Sequence, residues 1–312
     1  MTGFRYHCLT ILKRRLMLME KMLKDKKAIF LFAFPTFLLF TVIIIMPIFF
    51  SIHYSTMQWN GYSKGIFVGF SNYKSLFINN TDGFAQSVIN SLILAIISVV
   101  IQLPISLLLA LILARGIRGE QFFRTVFFIP VIISTVVIGQ LWMKIYNSDY
   151  GMLNTVLKAV GLGRLTDAWL ADTHTALAAV FAAMLWQYVG YHMLLMYAGA
   201  KSISPNIYEA ARIDGASEAQ MAFHITIPLM KPIICVCVIF AVTGSFKAFD
   251  LIYVLTGGGP LHSTEVPTTL MYTTIFTRSQ YGYGSAMAIF IIAECLIFTL
   301  VIQKLFHQKA EY

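Results

Sequence analysis

Apolar residues run along this chain in long unbroken stretches, separated by short polar segments. Six stretches approach or exceed the roughly 20 residues with which a helix crosses about 30 Å of hydrocarbon. They cover residues 28–52, 87–114, 125–143, 176–200, 232–255 and 284–303. The first four contain no Asp, Glu, Lys or Arg. A β-barrel would show short alternating segments, whereas these runs are continuous and read as helices. Pro35, Pro47, Pro104 and Pro130 lie within them; bilayer helices tolerate such prolines because neighbours re-satisfy the freed carbonyls, so kinks are expected. The pattern predicts an all-α integral membrane protein with six transmembrane helices.

Composition agrees with that solvent. Hydrophobic residues are 58% of the 312, charged residues 12%, and the mean hydropathy is +0.74, against roughly a quarter charged in a soluble domain. No stretch is polar enough to set apart a sizeable soluble domain. The expected organisation is a basic N-terminal segment, 1–27, followed by one membrane domain, 28–312.

Basic residues are unevenly placed. Arg5, Lys13, Arg14, Arg15, Lys21, Lys24, Lys26 and Lys27 precede the first run, and further groups fall in 115–124, 201–231 and after Gln303. The alternate loops carry fewer, among them Lys64, Lys158 and Arg164. By the positive-inside rule both termini and the 201–231 loop are cytoplasmic. The formal charge of +9 is thereby a matter of topology and anionic headgroups, and no base-stacking motif accompanies it to suggest nucleic acid. The first run reads as an uncleaved anchor, since no small-residue cleavage site follows it. Residues 9–23 fit either an amphipathic interfacial helix or a basic tail.

Catalytic and cofactor signatures are missing. The chain lacks GxxxxGK[ST] and HExxH, so any ATP-driven process needs another subunit. Cys235 and Cys237 are two apart and point in different directions on a helix, so they suit packing and not a metal. His192 stands alone in its run. No metal site and no cofactor is expected on this chain.

Within the 201–231 loop, residues 209–228 form a polar, partly charged island in an otherwise apolar chain. Ser204 and Pro205 make an N-cap and first-turn proline, and Gly215 stops the helix. Ile207, Ala210 and Ala211 fall at i, i+3 and i+4 as one small apolar face, with Glu209 and Arg212 beside it. Ser217 and Gln220 form a capping-box pattern that starts a second short helix toward His224. From these residues two readings are open: a helix covering the inner face of the bundle, or a plug for a partner protein.

Spacing narrows the choice. Glu209-Ala210-Ala211, three residues, Gly215, nine residues, Ile225, one residue and Ile227-Pro228 resembles the EAA loop of ATP-binding-cassette importer permeases, EAA-x3-G-x9-I-x-L-P, with Ile227 in place of Leu. "SISPNIYEAARIDGAS" at 202–217, "FVGFSNYKSLF" at 67–77, "FFRTVFFIPVIISTVVIGQLWMKIYNSDYGMLN" at 122–154 and "FKAFDLIYVLTGGGP" at 246–260 resemble the sugar-importing branch, of the type of the first maltose permease. The resemblance runs from about residue 28 to the end. It implies a second, related permease as partner, two cytoplasmic ATPase subunits that hold ATP and Mg, an extracytoplasmic sugar-binding protein and a bacterial cytoplasmic membrane. It also implies that the loop is a coupling helix, with Glu209 as a polar clamp on the ATPase, Gly215 as the bend, Ala210 and Ala211 as the close-approach face, and Arg212 and Asp214 as flanking charges.

Candidates for the substrate path are Glu294, Lys247, Asp250, Trp186, Tyr188, Phe246 and Phe249. An ionised Glu294 in the middle of the sixth run costs several kcal/mol unless partnered, so it should face the bundle interior or a wet cavity. Lys247 and Asp250, three apart on a helix, can pair. Ion pairing and packing compete with sugar contact at every one of these positions. Gly257, Gly258, Gly259 and Pro260 form a loop at the outer mouth or simply the turn ending the fifth run. An ion-gradient-driven secondary transporter is the alternative function; the weak internal repeat and the lack of a carboxylate or histidine relay speak against it.

Overall fold

The computed structural model describes residues 26–80 and 82–306. Residues 9–23 and Cys8 lie outside the described residues. By its contacts the chain divides into two units, Met1–Tyr54 and Ser55–Tyr312.

In the first unit, α1 (Lys26–Phe40) passes through a π turn at Thr41–Ile45 into α2 (Met46–Ser55). No polar stripe interrupts Phe30–Ser55, which is long and apolar enough to cross a membrane. Thr41 Oγ1 donates to Phe37 O at 2.8 Å, the kind of local bond by which a hydroxyl is satisfied inside lipid.

The second unit opens with a two-stranded antiparallel ribbon, β1 (Met57–Gln58) and β2 (Ile66–Phe67), and a short α3 (Ser71–Lys74). Next, α4 (Phe84–Ile97) continues through a π turn, Ser98–Gln102, into α5 (Leu103–Ala114), one span of 31 residues. The π turn ends two residues before Pro104, whose missing N–H removes one helical hydrogen bond.

The third run is not one helix. α6 (Glu120–Ile132) and α7 (Thr135–Ile145) meet at 97°, where the expected span was continuous over 125–143. Ile133 is extended at ψ 140° and Ser134 at ψ 131°, just after Pro130. A short α8 (Met152–Ala159) leads to α9 (Ala176–Lys201). Then come α10 (Pro205–Ile213), α11 (Glu218–Met221) and α12 (Ile227–Leu229), and a 71° bend into α13 (Lys231–Phe246). The fifth run, expected over 232–255, also breaks: α13 stops at Phe246, and α14 (Asp250–Thr256) follows after a gap. Last are α15 (Pro267–Tyr272), a π turn at Thr273–Thr277, and α16 (Tyr281–Phe306). Among the described residues, four helices are long and apolar enough to cross a membrane, or six spans if each bent pair counts as one.

Between helices in lipid there is little hydrophobic driving force, so close backbone approach through small residues holds the bundle. A Cβ on Gly190 would lie 1.8 Å from Phe127 O, so only glycine lets α9 meet α6. A Cβ on Gly139 would lie 2.4 Å from Val254 Cγ1, and here α7 packs on α14. The second halves of the two broken spans therefore pack against each other. Around α9 the core joins Leu103, Ala110 and Leu113 to Met193, Met196 and Cys237; Cys235, Cys237 and Cys295 are free thiols.

Candidate functional site: a hairpin and a central cavity

The polar loop after α9 is an ordered hairpin. Pro205 occupies the first turn of α10, after Ser204 in an extended conformation. Gly215 takes φ +78° with open space where a Cβ would go, so the left-handed backbone, not crowding, calls for glycine. Ser217 and Gln220 complete a capping box: Gln220 N donates to Ser217 Oγ at 3.3 Å and Ser217 N to Gln220 Oε1 at 2.7 Å.

One side of the hairpin is tied to the bundle. Met221 and Ala211 are buried, Tyr208 shares a hydroxyl hydrogen bond with Thr226 at 3.1 Å, and Glu218 bridges Arg212 at 3.4 Å and Arg115, just past the end of α5, at 3.7 Å. The expected single face of Ile207, Ala210 and Ala211 is split, because Ala211 turns inward while Ile207 and Ala210 stay exposed. Glu209, Arg212 and Asp214 are exposed, and Ile213 is 86% so. No ion pair reaches Glu209 among the described residues. Behind it lies a cleft of about 300 Å³ walled by Arg115, Lys201, Tyr208, Glu209 and Glu218.

A second cavity, of about 400 Å³, opens where the spans break. Thr135, at the start of α7, Lys247 and Phe249, in the interruption between α13 and α14, and Asp250, at the start of α14, line it together with Tyr188, Tyr191 and His192 of α9 and Ser98 and Gln102 of α4–α5. Irregular backbone at membrane depth survives where it is covered by protein or lines a wet space. Ser98 and Ser245 hydroxyls meet at 3.3 Å on its wall. His192 is buried, and its Nδ1 makes no hydrogen bond among the described residues. A volume of this size with a few convergent polar groups fits a small-molecule site.

The cavity brings together four of the seven substrate-path candidates, Tyr188, Lys247, Phe249 and Asp250, and leaves out three. Phe246 is fully buried and packs edge-on against Phe298 at 4.9 Å. Trp186 meets Trp142 at 5.7 Å and is partly exposed. Glu294 is buried and does not line the cavity, and its Oε2 makes no hydrogen bond among the described residues. Lys247 and Asp250 do not form the expected pair among the described residues: helical i,i+3 geometry is lost where Phe249 adopts φ −140°, ψ −65°.

Residues 102–312 match the family model described as binding-protein-dependent transport system inner membrane component. The chain belongs to that family. The probable ABC transporter permease YurN of Bacillus subtilis is 40% identical over 285 residues, 90% of this chain and 97% of its own. The multiple sugar-binding transport system permease MsmF of Streptococcus mutans is 34% identical over 245 residues, 78% and 82% of the two chains. A bacterial alginate ABC transporter, solved in complex with an alginate pentasaccharide-bound periplasmic protein, has a chain of the same fold: TM-score 0.78 at 23% identity, over 92% of this chain and 96% of that one. The protein is a multi-pass membrane permease, a transport subunit of the ABC class.

In this permease Gly257, Gly258, Gly259 and Pro260 lead into a braced loop. Gly257 and Gly258 have φ +60° and +92°, and a Cβ on Gly258 would strike the Glu265 carboxylate at 2.5 Å. Glu265 is buried and accepts from Thr269 Oγ1 at 2.7 Å, and its Oε2 meets His262 Nδ1 at 2.9 Å. Asn90 Nδ2 donates to the carbonyls of Ser263 and Glu265 at 3.0 and 2.8 Å. This bracing, from Asn90 across to residue 265, was not readable from the TGGGP stretch. Also missed was a polar cluster at the hairpin end, where Tyr197 donates to Glu120 and Lys201 Nζ lies 3.4 Å from the same carboxylate. Among the described residues, no three His, Cys, Asp or Glu converge to hold a metal.

Proposed function

We propose that this permease forms half of the translocation path of an ATP-driven sugar importer in a bacterial cytoplasmic membrane. A second, related permease supplies the other half, an extracytoplasmic binding protein delivers the sugar, and two cytoplasmic ATPase subunits, which carry ATP and Mg, drive the cycle. The hairpin is the coupling element. The observation that carries this reading is its two-sidedness: Glu209 and Ile213 face outward, while Ala211, Met221 and the Arg115–Glu218–Arg212 bridge hold the other side to the bundle. A partner gripping the outer side therefore moves the ends of α5 and α9. ATP drives transport only if these contacts differ between open and closed states. For sugar, the support is the name of the MsmF relative together with a cavity of rings and uncharged hydrogen-bonding groups.

The test is ATPase activity of the reconstituted complex, with and without loaded binding protein. Glu209→Ala is expected to assemble and to lose most of the stimulation. Unchanged stimulation would mean that the hairpin merely covers the membrane surface.

A further inference from the structure

A ladder of aromatic rings leaves the central cavity. Phe249, on the cavity wall, has its ring centroid 5.1 Å from both Tyr253 and Tyr272; these two are 5.1 Å apart, and Tyr272 lies 4.9 Å from Phe276. The i,i+4 spacing within 249/253 and 272/276 aligns each pair along its own turn, and the fold brings the two pairs together. Phe249 and Tyr272 are half-buried, while Tyr253 is 43% exposed and Phe276 66%. Neither the Tyr253 nor the Tyr272 hydroxyl makes a hydrogen bond among the described residues.

A packing cluster would bury these rings. Against hydrocarbon the two phenol hydroxyls would stay unpaired, and Asp250, exposed one turn before Tyr253 and in no ion pair among the described residues, would carry its charge uncompensated. The strip is therefore wet, aromatic and continuous with the cavity through Phe249. Ring faces take the C–H faces of pyranoses by dispersion.

Resting on the sugar-import reading above, we propose that Phe249, Tyr253, Tyr272 and Phe276 form a ring-stacking track that hands an oligosaccharide into the cavity, so that chains of three or more pyranoses are favoured over disaccharides. The assembled importer, with its binding protein, is given radiolabelled disaccharides and their tri- to pentasaccharides. Tyr272→Ala and Phe276→Ala should raise KM for the longest transported chain about tenfold each and that for the disaccharide less than about twofold, with kcat retained and Tyr272→Phe close to wild type. Equal losses for all lengths, or none, would assign the rings to packing and overturn the track. Should wild type import no saccharide, the function proposed above falls and the track with it. Independently of these variants, Phe276→Cys in the assembled complex should react with a hydrophilic maleimide and be protected by pentasaccharide. A thiol that stays unlabelled would place a partner subunit or lipid over the strip, which also overturns the proposal.

Discussion

Gly215 shows how much a single residue can specify. Its φ of +78° lies where an L side chain costs roughly 1–2 kcal/mol, and no neighbour crowds the missing Cβ. Gly215→Ala therefore tests backbone conformation alone. The variant should assemble, lose several-fold in binding-protein-stimulated ATPase activity, and be partly rescued as Gly215→Asn, which tolerates the left-handed region better. Activity equal to wild type for Ala would show that the assembled hairpin does not keep this turn. The glycine stop and the Ser217–Gln220 box were legible in the sequence because both follow from local hydrogen bonding and sterics. The inward turn of Ala211 was not, because helical spacing gives neighbours on a face without saying which part of that face meets the bundle.

At the scale of elements, the informative features are the two breaks. A hydropathy run reports that residues avoid water; it is indifferent to whether they form one helix or two at 97°. Pro130 was a visible warning for the third run, whereas the interruption at 247–249 carries no proline or glycine. That interruption separates Lys247 from Asp250, and the two act as independent groups on the cavity wall. Lys247→Ala and Asp250→Ala should each reduce sugar uptake, and the double variant should lose the sum, with a coupling below about 0.5 kcal/mol. Coupling above about 1 kcal/mol would mean that the pair forms during transport.

For the whole molecule, the distribution of Lys and Arg predicts that the hairpin lies inside and the ribbon loop around Lys64 outside. A cysteine replacing Ile213 should be labelled by an impermeant reagent only in inverted vesicles, and one replacing Lys64 only in intact cells, each above wild-type background. Labelling of both from one side would reverse or break the topology. Such sidedness matters for the proposed mechanism, in which the hairpin and the binding-protein face lie on opposite sides of the cavity.

By itself the sequence determined the solvent, the helical class, the approximate spans and the hairpin with its EAA spacing. Each of these is written in local patterns: the length of apolar runs, charge placement, caps and a glycine stop. Tertiary structure alone decided which candidates share a site. Tyr188, Lys247, Phe249 and Asp250 meet around one cavity, while Phe246, Trp186 and Glu294 fall elsewhere. That sorting depends on broken helices, on Gly139 and Gly190 admitting close neighbours, and on contacts between residues distant in the chain. Aromatic and charged residues inside apolar runs look alike in sequence, because burial against a neighbour and exposure to a cavity differ only in what the rest of the fold places opposite them.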